Sequence, residues 1–172
     1  MVLLKRLILS FFILLYCCTA FSQQNKAYGI YLELGGNASF YSFNYDKEFL
    51  LREYYRMTWR AGLGVFPNEI PVTTRDYHVA TPLTVNFLYG RRDHFAEISA
   101  GQMCYLSVES PPALSAVGNV GYRYQPDKGG YFFRIGFTPF LQFVPELKYY
   151  NWAGISIGYT WRKGRCPCED GK

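Results

Sequence analysis

Beyond residue 22 the chain repeats one pattern, in which apolar side chains alternate with small or polar ones along eight separate segments. Period two belongs to a strand whose two faces meet different surroundings, so the pattern predicts eight β-strands and leaves little room for helix. In the first segment Tyr28, Ile30, Leu32 and Leu34 share a face opposite Gly29, Tyr31, Glu33 and Gly35. The second sets Tyr41, Phe43 and Tyr45 against Ser42, Asn44 and Asp46, and the third sets Met57, Trp59, Ala61, Leu63 and Val65 against Thr58, Arg60, Gly62 and Gly64. The fourth has an apolar face of Leu83, Val85, Phe87 and Tyr89, and the fifth sets Ala96, Ile98 and Ala100 against Glu97, Ser99 and Gly101. The sixth opposes Val120, Tyr122 and Tyr124 to Asn119, Gly121 and Arg123, and the seventh opposes Tyr131, Phe133, Ile135 and Phe137 to Phe132, Arg134, Gly136 and Thr138. In the eighth, Ala153, Ile155, Ile157, Tyr159 and Trp161 face away from Gly154, Ser156, Gly158 and Thr160.

A soluble sandwich would bury the aromatic face and expose the other, which would then carry many Lys and Glu side chains. Here the second face is small and sparsely charged, as the crowded interior of a narrow closed barrel requires. The charges on it are Glu33, Arg60, Glu97, Arg123 and Arg134, two carboxylates among three guanidiniums, which predicts a buried ion network in the barrel interior. Aromatic residues make up 19% of the chain, and the alternation assigns most of them to an outward, lipid-facing coat.

Residues 1–22 lie outside this pattern. Lys5 and Arg6 precede an uncharged apolar run, and Ala20 and Ser22 stand as small residues before a cleavage site, which is the form of a secretory signal peptide. The run is shorter than the roughly 20 residues a membrane helix needs, and no later stretch is long and apolar enough either. The expected organisation is a signal peptide over 1–22, a barrel domain over 23–161 and a short periplasmic tail over 162–172. Loss of residues 1–22 takes Lys5 and Arg6 and lowers the formal net charge from +5 to +3, too mild to imply nucleic acid as a partner. Cys104, Cys166 and Cys168 are too few for a disulfide scaffold. Cys166-Pro167-Cys168 lacks the neighbouring ligands of a structural zinc site, so neither metal nor other cofactor is expected.

The connections alternate in length. Residues 90–94 and 125–130 form tight turns, whereas 66–81, 106–116 and 139–150 read as long loops. Two connections depart from this scheme, because 35–38 is short where a long loop belongs and 47–55 is long for a turn.

Taken together, these features resemble the small outer-membrane β-barrel proteins of Gram-negative bacteria over about residues 27–161. The resemblance implies an all-β, eight-stranded, antiparallel up-and-down transmembrane barrel in the cell outer membrane, with both termini in the periplasm and the long loops outside the cell. Ile155, Ile157, Tyr159 and Trp161 resemble the alternating C-terminal signal that the barrel-assembly machinery reads in this class. The partners it implies are outer-membrane lipid, that machinery during insertion, and an extracellular partner met through the loops.

Class membership does not transfer an activity. The leading expectation is a non-enzymatic protein with a structural or surface-interaction role carried by its outer loops. One alternative is a lipid-modifying enzyme of the lipid A deacylase or acyltransferase type. The resemblance would have it use a His, a Ser and a carboxylate, and here His78 is the candidate base with Asp76 nearby; no catalytic residue is otherwise assigned. His94 falls in a turn on the periplasmic side. A second alternative is a soluble periplasmic barrel holding an apolar ligand, with its aromatic face turned inward.

Overall fold

A computed structural model describes residues 27–38, 40–67, 77–107 and 112–162 of the chain. The eight strands are β1 (Ala27–Gly35), β2 (Tyr41–Leu51), β3 (Tyr55–Pro67), β4 (Tyr77–Arg91), β5 (His94–Ser107), β6 (Ala113–Tyr124), β7 (Gly130–Val144) and β8 (Lys148–Arg162). Each pairs antiparallel with the next, and β8 returns to β1, from Ala27 opposite Arg162 to Gly35 opposite Gly154, so the sheet closes into a barrel. The signal peptide over 1–22, the tail with Cys166 and Cys168, and Asp76 lie outside the described residues.

Side chains separate by parity as the alternation predicts. Leu32, Phe43, Leu63, Ile98, Val120 and Ile157 point outward and are more than half exposed, while Ser42, Asn44, Thr58, Asn86 and Ser156 are buried inside. The barrel end at which Ala27 and Arg162 lie, the termini end, closes with tight turns. Arg52 N–H donates to Tyr55 O at 2.9 Å across the β2–β3 turn, so the connection over 47–55 is a short turn between strands that run on into it. Arg92 takes a left-handed φ of 58° between β4 and β5, and Gly129 N–H donates to Pro126 O at 3.0 Å between β6 and β7.

The opposite end differs from the sequence-based expectation. Most of the described residues in what reads as long loops are strand: β3 and β4 extend into 66–81, β5 and β6 into 106–116, and β7 and β8 leave only Pro145, Glu146 and Leu147 between them. β4, β7 and β8 reach 15 residues, beyond the roughly 9–11 that cross a bilayer. The period-two contrast fades there because the inward face turns apolar. Ala38, Ala80, Met103, Val117 and Phe140 form a buried cluster with Tyr105 against it.

The short first connection explains that cluster. Gly35 and Gly36 both take left-handed φ values, +71° and +70°, and send the one-turn segment Gly36–Ala38 into the lumen, where all three residues are buried. A Cβ on Gly36 would collide with the Glu33 carboxylate. The chain then returns to the wall, with Gly35 N–H donating to Phe40 O at 2.6 Å. Because β1 and β2 stop low, residues 148–153 of β8 pair with β7 but with no second strand among the described residues.

Candidate functional site

Inward parity places one charged side chain on each of six strands at the middle of the lumen: Glu33 (β1), Asp46 (β2), Arg60 (β3), Glu97 (β5), Arg123 (β6) and Arg134 (β7). Arg134 bridges Glu33 and Glu97, the latter at 3.1 Å. Arg60 reaches Glu33 at 3.4 Å, and Arg123 reaches Asp46 at 2.6 Å and Glu97 at 3.7 Å. No member exposes more than 3% of its side chain. The five charges singled out in the sequence thus meet, and Asp46 joins them. It follows Ser42 and Asn44 on the inward face and supplies the third carboxylate, which balances three guanidiniums. Charges this deep are tolerable only when compensated, and here the three carboxylates and three guanidiniums are equal in number.

Neighbouring polar groups continue the network. Arg60 Nε donates to Thr84 Oγ1 at 2.9 Å, Thr84 Oγ1 to Asn86 Oδ1 at 3.1 Å, and Asn86 Nδ2 to Thr58 Oγ1 at 2.8 Å. Asn44 Nδ2 donates to Ser42 Oγ at 2.7 Å. Inward aromatic rings hold the guanidinium faces: Arg123 lies 4.8 Å from the Phe132 ring, Arg134 5.3 Å from Tyr31, and Arg56 4.3 Å from Phe95.

Nearer the termini a second charged set closes the lumen. Arg162 grips Glu48 with two hydrogen bonds of 2.9 and 3.1 Å, Arg56 lies 4.0 Å from Glu48, and Arg56 also pairs with Asp127 in the β6–β7 turn. Arg162 Nε donates to Asp127 O at 2.8 Å, and Asp127 N–H to Asp93 Oδ1 at 3.0 Å, tying two turns to the barrel wall. The sequence reading missed this set because Glu48, Arg56 and Arg162 flank the alternating runs. Each keeps the inward parity of its strand, which is the signal that could have found it, and Arg162 belongs to β8.

Above the charged middle, the inward Gly36–Ala38 segment and its apolar neighbours fill the lumen. The described interior is therefore occupied from end to end, and its chemistry is that of a packed, charge-balanced core. An inward aromatic face around an apolar ligand, which a soluble ligand-binding barrel would need, is not the arrangement found.

His78 lies on β4 at the end away from the termini, and its register partner across the β4–β5 pair is Ser107. No sequence signal gives that pairing, because the two residues come from different strands. His94 is the first residue of β5, at the termini end, 2.6 Å from the Tyr122 hydroxyl and beside the Tyr122 and Tyr124 rings. Cys104 is a free, half-buried thiol on β5. Ile155, Ile157, Tyr159 and Trp161 all point outward from β8, and Tyr159 packs at 5.4 Å against both Tyr131 and Trp161.

No family model matches the chain, and no curated protein matches it in sequence. Two solved structures match its shape. The N-terminal β-barrel domain of Pseudomonas aeruginosa OprF superposes with a TM-score of 0.51 at 13% identity, covering 81% of this chain and 98% of that one. The Yersinia pestis outer-membrane protein Ail, determined in a phospholipid bilayer nanodisc, superposes with a TM-score of 0.53 at 9% identity, covering 81% and 100%. The chain has the fold of a small outer-membrane barrel. At these identities the likeness is one of architecture: an outer-membrane-type barrel shares its strand number and closure with OprF and Ail without sharing their side chains.

Proposed function

We propose that this chain is an outer-membrane β-barrel whose lumen is closed to solutes and whose role is exercised at its outer end, through contact with a partner outside the cell. The observation that carries the reading is the inversion of the barrel: an apolar wall surrounds a charge-filled interior. Leu32, Ile98, Val120 and Ile157 are 58%, 58%, 59% and 62% exposed, and leaving such side chains in water forfeits about 1.5–3 kcal/mol for each one that lipid would cover. Outer-membrane lipid is the medium that suits this wall, and the outward Tyr159 and Trp161 suit an interfacial girdle.

The termini end then faces the periplasm. The opposite end presents strand extensions with exposed Tyr149, Tyr150 and Trp152 beside the open edge of β8, a surface fitted to a protein partner. The outward Ile155, Ile157, Tyr159 and Trp161 serve as the signal for the barrel-assembly machinery. Fractionation tests the location: recovery from the outer membrane only with detergent, as a band whose mobility shifts on boiling, supports the barrel, and recovery from soluble periplasm overturns it. Planar-bilayer recording tests the closed lumen, since stable ion-selective openings of the purified protein contradict it.

The alignment of Ser107 with His78 favours a second reading, a lipid-modifying hydrolase working at the outer rim. That enzyme would use Ser107 as nucleophile and His78 as base. Lipid A mass spectra from cells carrying the wild type, His78→Ala or Ser107→Ala decide it, and identical spectra end it.

A further inference from the structure

The outward wall carries an amide inside its apolar band. On β5 the inward side chains are Glu97, Ser99 and Met103, so Gln102 faces outward between Ala100 and Cys104. Its register partners are Leu83 on β4 and Ala116 on β6, and Leu106 lies further along the same strand, so the amide sits inside the apolar band rather than at its edge. Among the described residues no side chain hydrogen-bonds it. Around it the wall is hollow. A groove of 630 Å³ has a floor of Ala100, Ala116 and Gly101, with Trp59 and Leu83 on one side and Phe143 on the other.

We propose that this β4–β6 wall is the docking surface for a second copy of the chain, with the two Gln102 amides hydrogen-bonded to each other across a two-fold axis. The proposal rests on the membrane reading above. Acyl chains could fill the groove but would leave an amide with two N–H donors and a carbonyl acceptor unsatisfied in hydrocarbon, where water cannot reach it. A second copy fills the groove and at the same time pairs the carbonyl and one N–H of each amide. Two copies in one membrane point the same way, so a closed pair has its two-fold axis along the bilayer normal, and the same patch on each copy meets itself. A primary amide is self-complementary across such an axis, each donating one N–H to the other's carbonyl. The small Ala100 and Ala116 side chains admit the close approach that this requires, as small residues do between membrane helices.

Cysteine cross-linking in isolated outer membranes tests this with the full chain, in a background carrying Cys104→Ser, Cys166→Ser and Cys168→Ser. Ala116→Cys reports the groove, Ala100→Cys is a second reporter beside it, and Leu32→Cys on the far wall reports random encounter. Mild oxidation should yield about tenfold more dimer from either groove reporter than from Leu32→Cys, and adding Gln102→Leu should remove that excess. The boiling-dependent shift verifies that each variant is folded. Equal dimer yields from groove and far-wall cysteines in folded, membrane-borne protein overturn the docking surface, as does an excess indifferent to Gln102→Leu. Failure to recover the wild type from the outer membrane overturns the membrane reading instead.

Discussion

The lumen has two halves built on different physics. Toward the termini it is filled by ion pairs, in which Arg134 and Arg123 each serve two carboxylates and every partner is fixed in direction. Toward the other end it is filled by Ala38, Ala80, Met103, Val117 and Phe140, whose contacts are non-directional and close-packed. One half therefore tolerates no unpaired member, whereas the other tolerates changes of chemistry but not of volume.

The sharpest way to break this contrast is to remove a bridging cation. Arg134→Met leaves Glu33 with Arg60 alone and Glu97 with Arg123 alone, so that one buried negative charge is uncompensated, and a loss of about 3–5 kcal/mol is expected, read as a lower urea midpoint for the refolded barrel in lipid vesicles. An unchanged midpoint would mean that the charges are solvated and the ion core is not a core. In the apolar half, Met103→Ala should cost about 2–4 kcal/mol by opening a cavity, while Met103→Leu should stay within about 1.5 kcal/mol. Equal losses for both substitutions would show that the upper lumen demands more than volume. Gly36→Ala, at the hinge between the halves, forces a side chain into left-handed backbone and against Glu33, with an expected loss of about 1–3 kcal/mol. The smallest effect belongs outside the lumen. Glu146 and Lys148 pair at 3.0 Å but remain 69% and 54% exposed, so Lys148→Ala should leave the urea midpoint where it is.

The same contrast decides what could be read from the sequence. The charged half was legible because Glu33, Arg60, Glu97, Arg123 and Arg134 stand out on a face otherwise made of Gly, Ser, Thr and Asn, and parity alone gathers them. Asp46 sat on that face without being counted among the charges. The apolar half was not legible, since inward Ala80, Met103, Val117 and Phe140 resemble the outward residues beside them and the alternation on which strand assignment rests is lost. Strand ends therefore read as loops at 66–81, 106–116 and 139–150. The fold of Gly36–Ala38 into the lumen needs tertiary partners to explain it, although the Gly-Gly pair marked a turn. Gln102 lies one residue past Gly101, where the fifth alternating run ends. The meeting of His78 with Ser107 is a fact of register, which hydrophobic pattern fixes only as to face and not as to partner.

Arg162 stands on the last strand and Glu48 on the second, with β1 between them, and Ala27, opposite Arg162, is small enough to let the bond pass over it. The ladder between β1 and β8 closes the cylinder along one seam, whereas this bond stitches across the seam from the strand beyond it. Each hairpin of neighbouring strands can form without this bond, which needs β2 and β8 both in place on either side of β1. A cylinder that lacks either strand lacks this fastening.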